Sequence, residues 1–158
     1  MTRVGITGHR DLADPTCRLV SAGIATELER LRPVHGISSL AEGADQIFAE
    51  RVLEAGGALT AVIPSAHYSR SFATSAGKTA YRQLRARAEE VIELPFSSPS
   101  DDAYWAAGRR VVDLADVLLA VWDGSPSAGV GGTADVVAFA SERGVPTTVL
   151  WPPGSRRG

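Results

Sequence analysis

Short apolar runs alternate along the chain with longer stretches that carry an apolar face at helical spacing. Residues 3–7 form the first run, and residues 117–122 form an almost fully apolar one. Runs of this kind are typical of buried parallel strands, and the stretches between them are long enough for crossover helices. The pattern therefore predicts an open, mostly parallel α/β sheet of about six strands with helices on both faces.

Glycine, proline and polar residues divide the chain into predicted elements. The predicted strands are residues 3–7, 36–40, 59–63, 91–94, 117–122 and 145–150. The first predicted helix has its N-cap at Asp14 and Pro15 at its first helical position. The other predicted helices are residues 44–53, 81–90, 102–114 and 133–143. Residues 65–78 are predicted as a loop. We expect one domain over residues 1–151 and a frayed tail over 152–158.

The composition limits the expected partners. The 158 residues include 16 Lys and Arg against 18 Asp and Glu, a formal net charge of −2, so we expect neither nucleic acid nor a membrane as a partner. Cys17 is the single cysteine, and neither a signal peptide nor an apolar run of membrane-spanning length is apparent. These features predict a cytoplasmic protein with a small-molecule partner, no cofactor and no metal.

A glycine-rich turn at 129–135, Gly-Val-Gly-Gly-Thr-Ala-Asp, opens the helix predicted after the apolar run at 117–122. Glycines allow the backbone to approach a ligand closely, and the first N–H groups of a helix favour an anion. Gly131, Gly132 and Thr133 are therefore the predicted phosphate-binding residues.

The turn after the first predicted strand carries Gly8, His9 and Arg10. Ligands of open α/β sheets bind at the carboxyl ends of the strands, so this turn belongs to the predicted site. Gly8 allows close backbone approach, and Arg10 provides a planar fork for phosphate. His9 is a candidate hydrogen-bonding partner or proton shuttle, and no second His or Cys stands at metal-binding spacing.

Carboxylates follow two other predicted strands. Glu42 and Asp45 flank Gly43 at the start of the second predicted helix, and Asp123 ends the apolar run at 117–122. All four residues are predicted ligand contacts, with Glu42 as a partner for a ribose diol. Stabilisation of a helix N-terminus is the alternative role for the two carboxylates at 42 and 45.

Three motifs together resemble the SLOG superfamily. They are Gly-Ile-Thr-Gly-His-Arg at 5–10, Leu-Ala-Glu-Gly-Ala-Asp at 40–45, and Val-Trp-Asp-Gly at 121–124 followed by Gly-Gly-Thr-Ala-Asp at 131–135. That group joins the Rossmann-like domain of the DNA-uptake protein DprA with the LOG enzymes, which release cytokinin bases from their ribotides, and with nucleotide sensors. The resemblance implies a Rossmann-like fold, a nucleotide-like ligand, and a homodimer or higher homo-oligomer.

The resemblance leaves two functions open. The LOG loop reads Pro-Gly-Gly-x-Gly-Thr-x-x-Glu, and the position of its catalytic glutamate carries Val136 here, with Asp135 one residue earlier. Binding of a nucleotide or nucleoside-phosphate derivative needs only the backbone of the loop. The alternative is an N-glycosidase in which Asp135, Asp123 or Glu42 replaces the glutamate.

Overall fold

A computed structural model describes residues 1–158 and contains one six-stranded sheet and five α-helices. The strands are β1 (Thr2–Gly8), β2 (Val34–Ser38), β3 (Ala58–Ser65), β4 (Glu90–Phe96), β5 (Val117–Val121) and β6 (Thr147–Val149). The helices are α1 (Asp14–Leu31), α2 (Ala44–Glu54), α3 (Ser75–Arg87), α4 (Asp101–Leu114) and α5 (Thr133–Glu142), with a 3₁₀ helix at Tyr68–Ser71. None of the helices combines the length and the apolar composition needed to cross a bilayer.

All strands of the sheet are parallel and lie in the order β4-β3-β2-β1-β5-β6. The chain winds outward from β1 in one direction through β2, β3 and β4, and then returns to the other side of β1 with β5. β1 and β5 end together, with Gly8 opposite Val121. Their diverging connections leave a crevice at the carboxyl ends of these two strands, where ligands of such sheets bind.

Side chains that alternate along the strands divide the core into two faces. In β3, Leu59 and Ile63 pack in one cluster with residues of α2 and α3, whereas Val62 points to the opposite face and packs with α4. α1 joins the first face through Val20 and Ile24, and α5 joins the second. The predicted α/β sheet with helices on both faces is therefore confirmed.

The segment predicted as a loop at 65–78 is more structured than expected. It contains the 3₁₀ helix and the first turn of α3, which starts where the Thr74 hydroxyl accepts a hydrogen bond from the Gly77 N–H at 2.9 Å. Tyr68 and Phe72 pack edge to face with Tyr81. The contribution of an N-cap and an aromatic cluster outweighs the weak helical propensity of this serine- and glycine-containing stretch.

Other element boundaries also differ from the predicted ones. The N-cap of α1 is Ala13, and Asp14 is the first helical residue. β2 begins two residues before the predicted start at Gly36, and β3 continues through Pro64 to Ser65. The proline is tolerated there because the register between β3 and β4 shifts between Ile63 and Ser65.

Residues 152–158, for which the sequence predicts a frayed tail, are instead held against the loop after β1. Gly158 donates its N–H to the Asp11 carbonyl at 2.8 Å, and Arg156 donates its N–H to the buried Thr16 hydroxyl at 2.8 Å. The Arg157 guanidinium forms a two-pronged ion pair with the Asp11 carboxylate, at 2.8 and 3.0 Å. These contacts connect residues about 140 positions apart and have no local signal in the sequence.

The tight packing of α2 on β2 generates a test with a matched control. A Cβ at Gly36 would lie 2.7 Å from Val52 Cγ2 and 3.1 Å from Phe48 Cε1, so Gly36→Ala should lower the free energy of unfolding by about 1–3 kcal/mol. At Gly23 in α1, the nearest atoms would be 3.9 Å away, so Gly23→Ala should raise it by about 0.5–1 kcal/mol. Urea unfolding measures the free energy of unfolding of both variants. Equal stability of the two would contradict the close packing of α2 on β2 at Gly36.

Candidate functional site

The crevice between the ends of β1 and β5 opens into a cavity of about 440 Å³. Its walls come from the loop after β1, the start of α2, the 3₁₀ helix, the face of α4 and the glycine-rich loop before α5. The lining residues include Thr7, Gly8, His9, Arg10, Ser39, Asp45, Tyr68, Tyr104, Trp122, Ser127, Gly131, Gly132, Thr133, Ala134 and Arg157. This volume is within the range of small-molecule sites.

The start of α5 carries unpaired donors. The backbone N–H groups of Gly132, Thr133 and Ala134 donate to no acceptor within the protein, and all three residues line the cavity. First-turn amides have no partner within their own helix, and the helix dipole places partial positive charge there. The lining of the cavity therefore includes three consecutive residues with free N–H groups at a helix start, an arrangement suited to an anion.

Side chains within the glycine-rich loop hold it in this shape. Asp135 accepts a hydrogen bond from the Gly131 N–H at 2.9 Å, and its own N–H donates to Ser127 Oγ at 3.2 Å. Gly131 has a positive φ of 86°, and a Cβ there would lie 2.9 Å from the backbone nitrogen of Trp105. The Asp135 carboxylate is thus occupied inside the loop and does not line the cavity.

Arg10 is the cation of the cavity whose charge is not taken up by a direct ion pair. Its guanidinium carbon lies 4.9 Å from the centre of the Tyr104 ring and 6.0 Å from that of Tyr68. Stacking on an aromatic face holds the planar guanidinium while leaving its N–H donors available to a ligand. Arg10 is exposed, and its guanidinium donates to no acceptor within the protein.

His9 connects the two central strands at the edge of the cavity. It is 7 % exposed, its N–H donates to the Val121 carbonyl at 3.0 Å, and its carbonyl accepts from the Ala44 N–H at 3.2 Å. Its Nε2 lies 3.1 Å from the Asp123 nitrogen and 3.0 Å from Asp123 Oδ1. One ring tautomer accepts from the amide and the other donates to the carboxylate, so His9 fixes the end of β5 in either state.

Asp123 caps the turn that follows β5. Its Oδ1 accepts from the Ser125 hydroxyl at 2.6 Å and from the Ser125 N–H at 2.9 Å. These two hydrogen bonds, followed by the contact with His9, lower the pKa of Asp123 to about 2. A carboxylate that is this weak a base and lies outside the lining of the cavity is a poor general acid or base at neutral pH.

Glu42 and Gly43 also serve the fold. The Glu42 carboxylate accepts from the N–H groups of Ala73 and Thr74, at 2.7 and 3.2 Å, and from the Thr74 hydroxyl at 2.8 Å. Gly43 has a φ of 82°, and a Cβ there would lie 2.6 Å from the Arg10 carbonyl oxygen. The close backbone approach predicted at Gly43 is thus to the protein's own chain, and neither residue lines the cavity.

Asp45, in the first turn of α2, differs from the other predicted ligand carboxylates, Glu42, Asp123 and Asp135. Its side chain lines the cavity, although the residue is only 8 % exposed. Oδ2 accepts a long hydrogen bond of 3.3 Å from the Ala41 N–H, and this is the only hydrogen bond of the carboxyl group. Burial raises the pKa of Asp45 to about 7, against the opposing effects of Arg10 and of the Ala41 N–H.

The cavity therefore contains some of the predicted ligand residues and lacks others. Those that line it are Gly8, His9, Arg10, Asp45, Gly131, Gly132 and Thr133. Those outside its lining are Glu42, Gly43, Asp123 and Asp135. The sequence did not predict Arg157 as part of the site, because its ion pair with Asp11, 146 positions away, brings it there and no local motif marks it.

Comparison with known proteins is informative for the fold. No protein-family model matches the chain, and no curated protein matches it. Among solved structures, DNA processing protein A from Helicobacter pylori, described for its single-stranded DNA binding mode, has a TM-score of 0.71 at 17 % identity, over 99 % of this chain and 68 % of that one. DprA from Streptococcus pneumoniae has a TM-score of 0.70 at 18 % identity over 98 % of this chain, which spans about half (52 %) of its length.

A third similar structure is the molybdenum cofactor binding protein from Rippkaea orientalis. Its TM-score is 0.59 at 17 % identity, over 94 % of this chain and 75 % of that one. Proteins of this fold are thus described as binding single-stranded DNA in one case and a molybdenum cofactor in another.

These structures correct one expectation drawn from composition. The exclusion of a nucleic-acid partner is wrong, because a structure that matches nearly the whole chain belongs to a protein with a described single-stranded DNA binding mode. The net charge of −2 is a sum over the entire surface. Phosphate recognition depends on the few donors and cations at one place, so a small net charge does not exclude it.

The Rossmann-like fold that the resemblance to the SLOG superfamily implies is confirmed. The similar structures share the arrangement of the sheet and helices across 94–99 % of the chain. The protein has a Rossmann-like fold.

Proposed function

We propose that the protein binds a phosphorylated, nucleotide-like small molecule in the cavity between β1 and β5. The observation that carries the proposal is the set of three unpaired N–H groups at Gly132, Thr133 and Ala134, which line the same cavity as Arg10. The phosphate oxygens accept from these amides and from the Arg10 guanidinium. Both kinds of donor bind phosphate in proteins, the first through the helix dipole and the second as a bidentate fork.

The remainder of the cavity suits the less polar part of a nucleotide. Tyr104 and Trp122 line it, and the Trp122 indole N–H is already bonded to the Ser125 carbonyl at 2.8 Å, which leaves the ring as an apolar wall. Aromatic walls cover a heterocyclic base through stacking. The fold likeness to a single-stranded DNA binding protein supports the same conclusion, because nucleotides are the units of DNA.

We do not extend the proposal to N-glycosidic hydrolysis. The three carboxylates considered for that reaction are occupied in hydrogen bonds of the fold, Asp135 with Gly131, Asp123 with Ser125, and Glu42 with Thr74. A catalytic carboxylate must reach the reacting bond, and none of the three lines the cavity. We therefore expect bound nucleotides to remain intact.

The first test is a thermal-shift screen with the four common nucleoside monophosphates, ADP-ribose, ribose 5-phosphate and inorganic phosphate. A ligand at about a hundred times its Kd stabilises the fold by about 2.7 kcal/mol, which raises Tm by roughly 5–10 °C for a chain of this size. Chromatography of the same mixtures should recover the ligand without free base. The absence of any shift at 10 mM of every compound would overturn the proposal.

Thr133 provides a test of the phosphate position. Thr133→Asp introduces a negative charge among the three free amides, and it should weaken binding of the tightest compound in the screen by at least about tenfold. An acidic residue in the first turn favours the helix, so the fold should be retained. Thr133→Asn is the matched neutral control and should retain most of the affinity.

Calorimetry measures the affinity of both Thr133 variants. Equal affinities of the Asp and Asn variants would show that the phosphate does not bind at the start of α5. Gly132 is unsuitable for this purpose. A Cβ at that position would lie 2.7 Å from Ser127 Oγ, and any loss of binding would have a steric explanation.

Arg10 is tested by Arg10→Ala. Loss of charge-assisted hydrogen bonds worth about 1.5–3 kcal/mol should weaken binding roughly ten- to a hundredfold. Arg110→Ala, an exposed position of α4 outside the cavity, is the control and should bind as the parent protein does. Parallel weakening in both variants would indicate a general effect of net charge instead of a contact by Arg10.

A further inference from the structure

Asp45 is a buried polar group whose hydrogen-bonding capacity is largely unused. The residue is 8 % exposed and lines the cavity, yet its carboxyl group makes only the 3.3 Å hydrogen bond from the Ala41 N–H to Oδ2. Oδ1 has no partner within the protein. Oδ1 is not among the fully enclosed polar atoms, so in a residue that is otherwise buried it is open to the cavity and can accept a hydrogen bond from water or a ligand there.

The neighbouring charged and titratable groups do not occupy this oxygen. Arg10, from the loop after β1, and Tyr68, from the 3₁₀ helix, are the groups that interact electrostatically with Asp45. Arg10 forms no direct ion pair with Asp45, and its guanidinium lies over the Tyr104 ring instead. The free oxygen of Asp45 therefore faces ligand space with its acceptor sites open.

We propose that Asp45 accepts a hydrogen bond from an N–H group on the edge of a heteroaromatic base, so that the ligand is a nucleotide whose base carries an amino or ring N–H donor. This inference rests on the proposed function, because it assumes that the phosphate occupies the start of α5. Ionised carboxylates accept hydrogen bonds from exocyclic amino groups of bases in this way. Trp122, which lines the same cavity, covers a face of the ring.

The hydrogen bond between the Asp45 carboxylate and the N–H group of the base makes ligand affinity depend on pH. Only the ionised carboxyl group accepts hydrogen bonds with both oxygens, and burial raises its pKa to about 7 in the protein without ligand. Below that pH the carboxyl group is protonated, and a ligand with an N–H donor must first displace the proton. The affinity for such a ligand should thus rise as the pH increases from 5.5 to 8.0.

The test compares AMP, CMP and GMP with ribose 5-phosphate, which has the sugar and the phosphate but no base. The phosphate group titrates near pH 6 in all four compounds, so the ratio of nucleotide affinity to ribose 5-phosphate affinity removes its contribution. We expect this ratio to rise about tenfold between pH 5.5 and 8.0 for at least one nucleotide. In Asp45→Asn, which retains the size of the side chain, the ratio should be independent of pH.

A control and a second pair of ligands separate this inference from its alternatives. Asp102→Asn, at an exposed position of α4, should retain the pH dependence of the parent protein. If AMP is the nucleotide that responds, purine riboside 5′-monophosphate, which lacks the amino group, should bind about tenfold more weakly at pH 8.0 and show no such pH dependence.

Two negative results are distinguishable. If ribose 5-phosphate binds and is weakened by Thr133→Asp, but the ratios are the same in the parent protein and in Asp45→Asn, the proposed function stands and the role of Asp45 is overturned. If none of the compounds of the thermal-shift screen binds at 10 mM, the proposed function fails and the inference fails with it.

Discussion

The hydrogen-bonded pairing of β1 with both β2 and β5 is the constraint on which the rest of the structure depends. It places the first strand of the chain at the centre of the sheet and brings its end, at Gly8, beside the end of β5 at Val121. The connections after these strands lead to helices on opposite faces of the sheet, so no backbone fills the space between them. The cavity, the start of α5 and the position of Arg10 all follow from this pairing.

The carboxylates around the cavity mainly maintain the shape of the site. Asp135 closes the glycine-rich loop, Asp123 caps the turn after β5, and Glu42 holds the segment before α3. Each satisfies backbone N–H groups that would otherwise lack partners in irregular loops. Because these carboxylates are engaged, the three amides of α5, the Arg10 guanidinium and the buried Asp45 carboxyl group are among the polar groups of the lining that keep free hydrogen-bonding capacity.

Much of the fold was predictable because it depends on patterns that are local in the sequence. Apolar runs such as β5 and the turn signal at Asp14 and Pro15 mark strands and helix starts, and all six strands and five helices were expected near their observed places. The glycine-rich loop before α5 was also predictable, since the glycines at its centre have a local backbone role. The N-cap at Thr74 was missed because its competing signals, glycine and serine, are weak helix formers.

The sequence by itself determined the parallel α/β architecture and the presence of a glycine-rich turn before α5, because strand and helix periodicity and backbone freedom are properties of consecutive residues. Only the tertiary structure decided which polar residues face the ligand space. Glu42 and Asp45 stand three positions apart, yet one is bonded to the segment before α3 and the other lines the cavity. Likewise, Arg157 reaches the site through its ion pair with Asp11, 146 residues away. Such outcomes depend on contacts between distant segments, and no spacing within the sequence encodes them directly.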